Sequence, residues 1–347
     1  MPPPPSSPAL ALDRTLLDDE EGFAAWEAHL LDEAGNGVFV SWGFGQPLTR
    51  ASAPAGTAAN APGLSVLILA QGSPSLWLHQ RFPAGEAAWE APAGRWRFGK
   101  SQVEALRDLN AQVVILRLDC ELPGTRARLQ GHVEMGGPPR RPEGGQEARP
   151  GEEDWSPLMG PGQGRAILSV GGAHRFHLQG RAYHHRHGRP GAAPEGTVLA
   201  GFGHVPFADR DVSFQVHLDE DGRGRASGLT VHLDGRSESA PDLEVETAPD
   251  LSRLTLRQGG AAWLDVETDR EGHDRGVEGH MLTHCRAPLL LPAAGVLRWL
   301  DERALTDARA RQRARRFVHV VGARSPLGVR LETGPVRDRL RRALHLG

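Results

Sequence analysis

Three histidines and the only tyrosine of the chain stand within five consecutive positions, in the segment Gly180-Arg-Ala-Tyr-His-His-Arg-His-Gly188. In an extended strand successive side chains alternate between faces, so Tyr183, His185 and His187 share one face while His184 points the other way. A phenol and two imidazoles in a row can bind a ligand or exchange protons, which predicts a binding or catalytic cavity. The alternative is an exposed histidine-rich turn, because histidine is intermediate in its preference for burial.

Length and charge restrict the classes of protein that can carry this segment. A chain of 347 residues exceeds a comfortable single core, which predicts two packed units, although one large β domain is also compatible. The formal net charge is -3, so there is no basic excess to bind nucleic-acid phosphates. Nucleic acid is therefore not an expected partner.

Cysteine usage and the N-terminal residues indicate a soluble, cytoplasmic protein. Cys120 and Cys285 stand far apart and fit no CxxC pattern, which favours a reducing compartment over a disulfide framework. The segment MPPPPSSP at positions 1–8 has neither a basic nor an apolar region and does not resemble a secretory signal. The longest apolar run, Leu64 to Ala70, is much too short to span a bilayer as a helix.

Short apolar segments separated by Gly, Pro or polar turns predict an all-β fold. The segments from Trp26 to Asp32 and from Gly37 to Pro47 form the first predicted hairpin, and similar segments follow along both halves of the chain. Such spacing favours a sandwich or barrel. Helical spacing of apolar residues predicts one longer helix over Ala294 to Arg316, and the C-terminal Val336 to Leu346 is predicted as a short basic helix.

Several sequence pieces occur in an order that resembles a known family. They are Val38-Phe-Val-Ser-Trp-Gly-Phe-Gly-Gln-Pro47, Trp96-Arg-Phe-Gly-Lys-Ser-Gln-Val103, Glu121-Leu-Pro-Gly124, Trp155-Ser-Pro-Leu158 and the Tyr183 segment. This order is similar to the carotenoid 1,2-hydratase (hydroxyneurosporene synthase) family of two-domain lipocalin-like proteins. The resemblance implies two lipocalin-like antiparallel β-barrels packed together. We expect a disordered or helical leader at 1–22, one barrel at 23–172 and a second at 173–347.

The resemblance also implies a reaction. The family adds water to the terminal C1–C2 double bond of an acyclic carotenoid without a cofactor, so the expected partner is a hydrophobic small molecule. Its motif resembles Gly-x-x-Tyr-His-Asp-x-Asn, with the Asp as the acid. Tyr183 and His184 match, whereas His185 occupies the Asp position and His187 lies near the Asn position. These four residues are the expected catalytic group.

Four further residues are expected to contact the ligand. Phe202 and His204, in Gly201-Phe-Gly-His204, replace the Trp-x-Trp of the family, and Trp42 and Phe44 lie in the first hairpin. Burial lowers a histidine pKa, so His185 is expected to be a poor acid towards an alkene unless a carboxylate such as Asp209 or Asp211 holds it charged. We therefore predict that hydration activity is weak or absent.

Two other functions remain compatible with the sequence. A barrel that keeps its cavity and loses the acid would be a carrier for a carotenoid, isoprenoid or other lipophilic molecule. A metal enzyme would use His185 and His187 together with His174 or His177, but the spacing fixes no third ligand, so no metal site is predicted. The basic stretch Arg309 to Arg316 is expected to be a solvated helix face, with contact to an anionic membrane surface as the alternative.

Overall fold

The computed structural model describes residue 12 and most of residues 14–304. The gaps within this range are 20, 47–59, 71–75, 91–93, 108–109, 123–124, 140–153, 194, 208–209, 234–235, 240–242, 249–251, 269–272, 275–277, 292 and 302. The predicted basic stretch Arg309 to Arg316 and the predicted helix Val336 to Leu346 lie outside the described residues, as does Asp209.

The first sheet has eleven antiparallel strands in the spatial order β4-β3-β2-β1-β11-β10-β9-β8-β7-β6-β5. Its strands are β1 (Phe23–Leu31), β2 (Gly37–Phe44), β3 (Pro62–Leu69), β4 (Leu76–Arg81), β5 (Ala87–Glu90), β6 (Arg95–Phe98), β7 (Ser101–Arg107), β8 (Gln112–Glu121), β9 (Arg128–Gly137), β10 (Asp154–Val170) and β11 (His174–Arg189). Short 3₁₀ turns lie at Arg14–Leu17 and Ala84–Glu86. The predicted first hairpin is confirmed, since β1 pairs with β2.

The second sheet contains the remaining strands and closes on itself. They are β12 (Leu199–Pro206), β13 (Arg210–Leu218), β14 (Arg223–Leu233), β15 (Arg236–Ser239), β16 (Leu243–Thr247), β17 (Arg253–Gln258), β18 (Ala261–Thr268), β19 (His273–Asp274), β20 (Glu278–Arg286) and β21 (Ala293–Asp301). The order runs β13-β12-β21-β20-β18-β17-β16-β14, and β13 also pairs with β14, which completes the ring. The predicted all-β fold of two lipocalin-like barrels is confirmed.

Each barrel buries one face of its strands in its own core. In β8 every second residue is buried, and Val114, Leu116 and Leu118 point into the first core. The second core includes Phe207, Phe214 and Leu256. This period-2 alternation is the pattern from which the strands were predicted.

β1 departs from this alternation because it is buried on both faces along its whole length. Trp26 and Leu30 belong to the first core, while the opposite face carries Glu27 and His29. Residues on that opposite face contact β21 of the second barrel. The strand therefore lies between the first core and the second barrel, and this junction contains the candidate site.

The predicted helix over Ala294 to Arg316 is wrong for its first part. β21 (Ala293–Asp301) is a strand that pairs with β12 on one side and β20 on the other. Val296, Leu297 and Leu300 fit a helical repeat, but the same segment also alternates, with Leu297 in the second core and Arg298 on the outer face. Because hydrogen bonds join this segment to a neighbouring strand on each edge, it adopts the alternating pattern of a strand and not the helical one. Residues 305–316 lie outside the described residues.

The change from the first sheet to the second falls after Arg189 and not after residue 172. β10 and β11 are a long hairpin within the first sheet, and the predicted boundary lies in the turn that joins them. The Tyr183 segment therefore belongs to the first barrel and reaches the second only through its outer face. In the described part of the chain no helix is long and apolar enough to cross a membrane.

Candidate functional site

The antiparallel register of β1 and β11 aligns the Tyr183 segment with two polar residues of β1. Glu27 lies opposite His185, and His29 lies opposite Tyr183. All four side chains are buried, Glu27 with only 1% of its surface exposed. A glutamate buried so deeply requires polar or charged partners, because desolvating an isolated carboxylate is costly.

The partners of Glu27 come from both barrels. Its Oε2 atom lies 3.2 Å from His29 Nε2 and 3.3 Å from His185 Nε2. Its Oε1 atom accepts a hydrogen bond from Arg298, a fully buried arginine on β21. One carboxylate is therefore held by two imidazoles of the first barrel and a guanidinium of the second.

A second polar group lies further along the same strands. The rings of Tyr183 and His204 are stacked with centroids 4.1 Å apart. His204 Nε2 lies 3.7 Å from Asp211 Oδ1, and Arg181 Nη1 lies 3.6 Å from the same oxygen. Asp211, which the sequence offers as a partner for His185, thus neighbours His204, and Glu27 takes the place beside His185.

His187 occupies the other end of the row. Its ring centroid lies 4.2 Å from that of Phe202 and 4.7 Å from that of Phe23. Arg298 Nη1 donates to His187 Nδ1 at 3.2 Å. The structure thus brings together five of the predicted site residues, namely Tyr183, His185, His187, Phe202 and His204.

The other three predicted residues lie on the opposite side of the sheet. His184 points into the first core, where its ring stacks on Trp42 with centroids 5.6 Å apart and Gln112 Nε2 lies 2.9 Å from His184 Nδ1. Phe44 packs against Trp96 in that same core. His184, Trp42 and Phe44 therefore cannot reach a ligand bound at the barrel junction, because the sheet separates them from it.

Burial decides the charge of the histidines. It lowers the pKa of His29 to about 3 and that of His184 to about 3. Burial also lowers the pKa of His185 well below its usual value, with the neighbouring histidines acting in the same direction. The pKa of His204 is lowered by burial despite the opposing effect of Asp211. At neutral pH these imidazoles are uncharged.

Arg298 supplies the positive charge of the junction. Burial lowers its pKa from the usual 12.5 to about 9, which still leaves the guanidinium protonated at neutral pH. Its guanidinium carbon also lies 5.9 Å from the centre of the Phe202 ring. The contact with Glu27 pairs opposite charges and stabilises the ionised carboxylate.

A cleft of about 880 Å³ opens at one end of this row. Its lining includes Leu31, Arg181 and Pro206. Each of these lies two positions along its own strand from a residue of the row, namely His29, Tyr183 and His204 respectively. Residues two apart on a strand share a face, so the cleft continues the surface that carries the buried site. Apolar Leu291 and Ala293 line the cleft as well.

Sequence reasoning missed Glu27, His29 and Arg298 as members of the site. The available signal was a charged residue inside the apolar strand Phe23–Leu31, with a histidine two positions later on the same face. For Arg298 the signal was an arginine between two apolar residues, Leu297 and Trp299. Neither signal says which strands become neighbours.

Comparisons with known proteins identify the fold class. No family model matches the sequence, and no curated protein matches it. A crystal structure of CghA with Sch210972 has a TM-score of 0.55 at 12% identity and covers 81% of this chain and 89% of CghA. A candidate AttH protein from Nitrosomonas europaea has a TM-score of 0.49 at 8% identity, covering 86% and 99% of the two chains. Kievitone hydratase from Nectria haematococca has a TM-score of 0.41 at 9% identity, covering 86% and 95%.

At these identities the likeness concerns the fold alone. The similarity to CghA extends over both barrels and supports the class of two-barrel lipocalin-like proteins. The resemblance to the carotenoid 1,2-hydratase family stays a prediction from the sequence.

Proposed function

We propose that the chain is an acid–base catalyst that adds water to, or removes it from, a carbon–carbon double bond of an apolar small molecule. The observation that carries this proposal is the buried Glu27 carboxylate between His29, His185 and Arg298, on a strand whose last residue, Leu31, lines the cleft between the barrels. Glu27 is the group that exchanges the proton. The two imidazoles hold its oxygen in place and can orient a water molecule.

Glu27 would supply the carboxyl group that the resemblance leads us to expect at position 185. The resemblance places an acid at 185, where this chain has histidine, but the residue directly across the ladder is Glu27. Directly opposite residues of an antiparallel pair have Cβ atoms about 4.5–5.5 Å apart. A carboxyl group is therefore available at nearly the same place, carried by the neighbouring strand.

The surrounding rings suit a substrate that develops positive charge. Protonation of a double bond leaves a carbocation, and the ring faces of Tyr183 and Phe202 stabilise a cation through the aromatic quadrupole. The ionised carboxylate left after proton transfer adds a Coulomb attraction in a site from which water is largely excluded. Capture of the cation by the oriented water completes the addition and returns a proton to Glu27.

An acyclic carotenoid is the substrate that the sequence resemblance suggests. Leu31 and Pro206, which line the cleft, would contact its apolar end group. The rest of the long polyene would then lie in the cleft.

The second candidate function is carriage of a lipophilic molecule without chemistry. It is favoured by the contact between Arg298 and Glu27, because a guanidinium stabilises the ionised carboxylate and so opposes proton delivery. The neutral imidazoles are weak acids and cannot replace it. An isolated alkene needs a stronger acid than a conjugated one, so this objection is greatest for the carotenoid end group.

The test compares the wild type with Glu27→Gln on lycopene or neurosporene in detergent, with mass spectrometry of the 1-hydroxy product. Loss of a general acid–base group typically reduces the rate by about 10²–10⁴-fold, which is the expected effect. Glu134→Gln, which alters an exposed ion pair with Arg165, is the control and should retain the rate. Turnover that survives Glu27→Gln would contradict the catalytic role. Co-purified ligand without turnover would favour carriage.

A further inference from the structure

We propose that Glu27, His29 and His185 form a binding site for one divalent transition-metal ion, with zinc the ion best suited to the ligand set. One ligand atom from each of the three side chains lies within 4.8 Å of the others. Two imidazoles and one carboxylate with a fourth position open are the ligands of many catalytic zinc sites. Nitrogen and oxygen ligands of this kind also suit other divalent transition metals.

Two of the three separations between the ligand atoms match tetrahedral coordination, and all three are within 4.8 Å. Zinc bonds of 2.0–2.1 Å at tetrahedral angles place neighbouring ligand atoms about 3.3 Å apart. The separations from Glu27 Oε2 are 3.2 Å to His29 Nε2 and 3.3 Å to His185 Nε2. A hydrogen bond also explains the distance from His29 to Glu27. A metal site would in addition explain why two Nε2 atoms lie close to the same carboxylate oxygen.

The surroundings hold the three side chains in place. Glu27 and His29 share one face of β1, and the ladder sets His185 directly opposite Glu27. The His29 ring packs against Phe39 with centroids 5.1 Å apart. Arg298 binds the other carboxylate oxygen, as outer partners commonly do for metal-ligating carboxylates. Ligands on neighbouring strands of one sheet give a more rigid site than ligands on loops.

Arg298 also lowers the affinity of the site for a metal ion, because its positive charge repels a second cation in a buried site. A hydroxide in the fourth position would offset part of this charge. We therefore expect zinc affinity on the order of micromolar, weaker than in structural zinc sites.

This proposal stands on the geometry of the cluster and not on the proposed reaction. A bound ion would replace proton exchange at Glu27 by acid–base chemistry of its bound water. Zinc binding without hydration of any alkene would contradict only the proposed function, and hydration by protein that binds no zinc would contradict only the metal site. The sequence alone predicts no metal site, because its spacing fixes no third ligand beside His185 and His187. The pairing of β11 with β1 places Glu27 and His29 beside His185.

The first test is a zinc titration of the full chain after chelator treatment, followed by calorimetry. We expect one equivalent of zinc per chain, and a loss of affinity of at least about 100-fold in His29→Gln and in Glu27→Gln. His204→Gln removes a histidine of the same junction that is not in the cluster, and should reduce affinity much less than the two ligand variants do. Absence of binding up to about 1 mM zinc, or equal losses in all three variants, would overturn the proposal.

The second test reports ligation directly and does not depend on loss of binding. In His185→Cys a thiolate would replace the imidazole, and Co²⁺ bound there should show a thiolate-to-metal charge-transfer band together with tetrahedral d–d bands. Wild type with Co²⁺ should show only the d–d bands, because Cys120 and Cys285 are buried in the cores of the first and second barrels. His204→Cys is the matched control and should lack the charge-transfer band. The same band in both cysteine variants, or in neither, contradicts the site.

Discussion

At the scale of single residues, the carboxyl group of the candidate site lies on β1, directly across the ladder from His185. The resemblance places an acid at position 185 of β11, whereas this chain carries histidine there and glutamate at position 27 of β1. The sequence predicted which residues of the Tyr183 segment share a face, because alternation is local. It could not predict Glu27 as their partner, because the pairing of β1 with β11 depends on the whole sheet.

Changing His185 to Asp should increase hydration of an acyclic carotenoid, but the gain should be limited to about tenfold because Phe202 stabilises a cation less than tryptophan does. Two carboxyl groups would then face each other across the ladder, and like charges so close cannot both ionise, so one of them keeps a proton that it can donate. Formation of the 1-hydroxy product by wild type and variant is the measurement.

His185→Asn is the control for this change, since it has nearly the size of Asp and adds no acid. An equal gain in His185→Asn would show that space and not acidity limits the reaction. Robust wild-type turnover that His185→Asp abolishes would identify the histidine itself as the acid.

At the scale of secondary structure, β21 shows where periodicity fails. Its apolar residues fit both a helical and an alternating pattern, and only neighbours distant in sequence choose between them. The strands of the first barrel were easier to predict, because short alternating segments between turns admit one interpretation. In β12, glycines alternate with large side chains. Gly201 and Gly203 face the interior of the second barrel, while Phe202 and His204 point to the junction.

Gly203→Ala should lower the free energy of unfolding by about 1–3 kcal/mol, the range for overpacked cores. A Cβ atom at this position would overlap the ring of Phe214, which lies opposite Gly203 on β13. Chemical denaturation followed by tryptophan fluorescence measures the change. Gly85→Ala is the control, because a Cβ there meets no atom within 4 Å, and its stability should match the wild type. Equal stability of the two variants would mean that Phe214 can move aside.

At the scale of the whole molecule, Glu27 and Arg298 join the two barrels through one buried ion pair. Glu27 belongs to the first barrel and Arg298 to the second, so separating the barrels would separate two opposite charges that are buried together. The two barrels are expected to unfold as a coupled unit for this reason.

Arg298→Met should destabilise the protein by about 3–5 kcal/mol, because it removes the buried positive charge that pairs with Glu27. The double variant Glu27→Gln/Arg298→Met should be more stable than the sum of the two single effects predicts, which urea unfolding of all four proteins measures. Arg165→Met removes an exposed pair with Glu134 and should change stability by less than about 1 kcal/mol. Strict additivity of the two buried substitutions would show that the pair does not couple the barrels.

The ion pair also determines which part of the structure can form last when the chain folds during synthesis. Glu27 and Arg298 are 271 positions apart, so at a translation rate of roughly 5–20 residues per second the glutamate emerges about 15–50 s before its partner. Until then the nascent first barrel carries a charge that it cannot bury at low cost, and its outer face should stay open to solvent, chaperones and proteases. Completion of the junction is thus a late event, and protection of Glu27 from solvent would report that the ribosome has released nearly the entire second barrel.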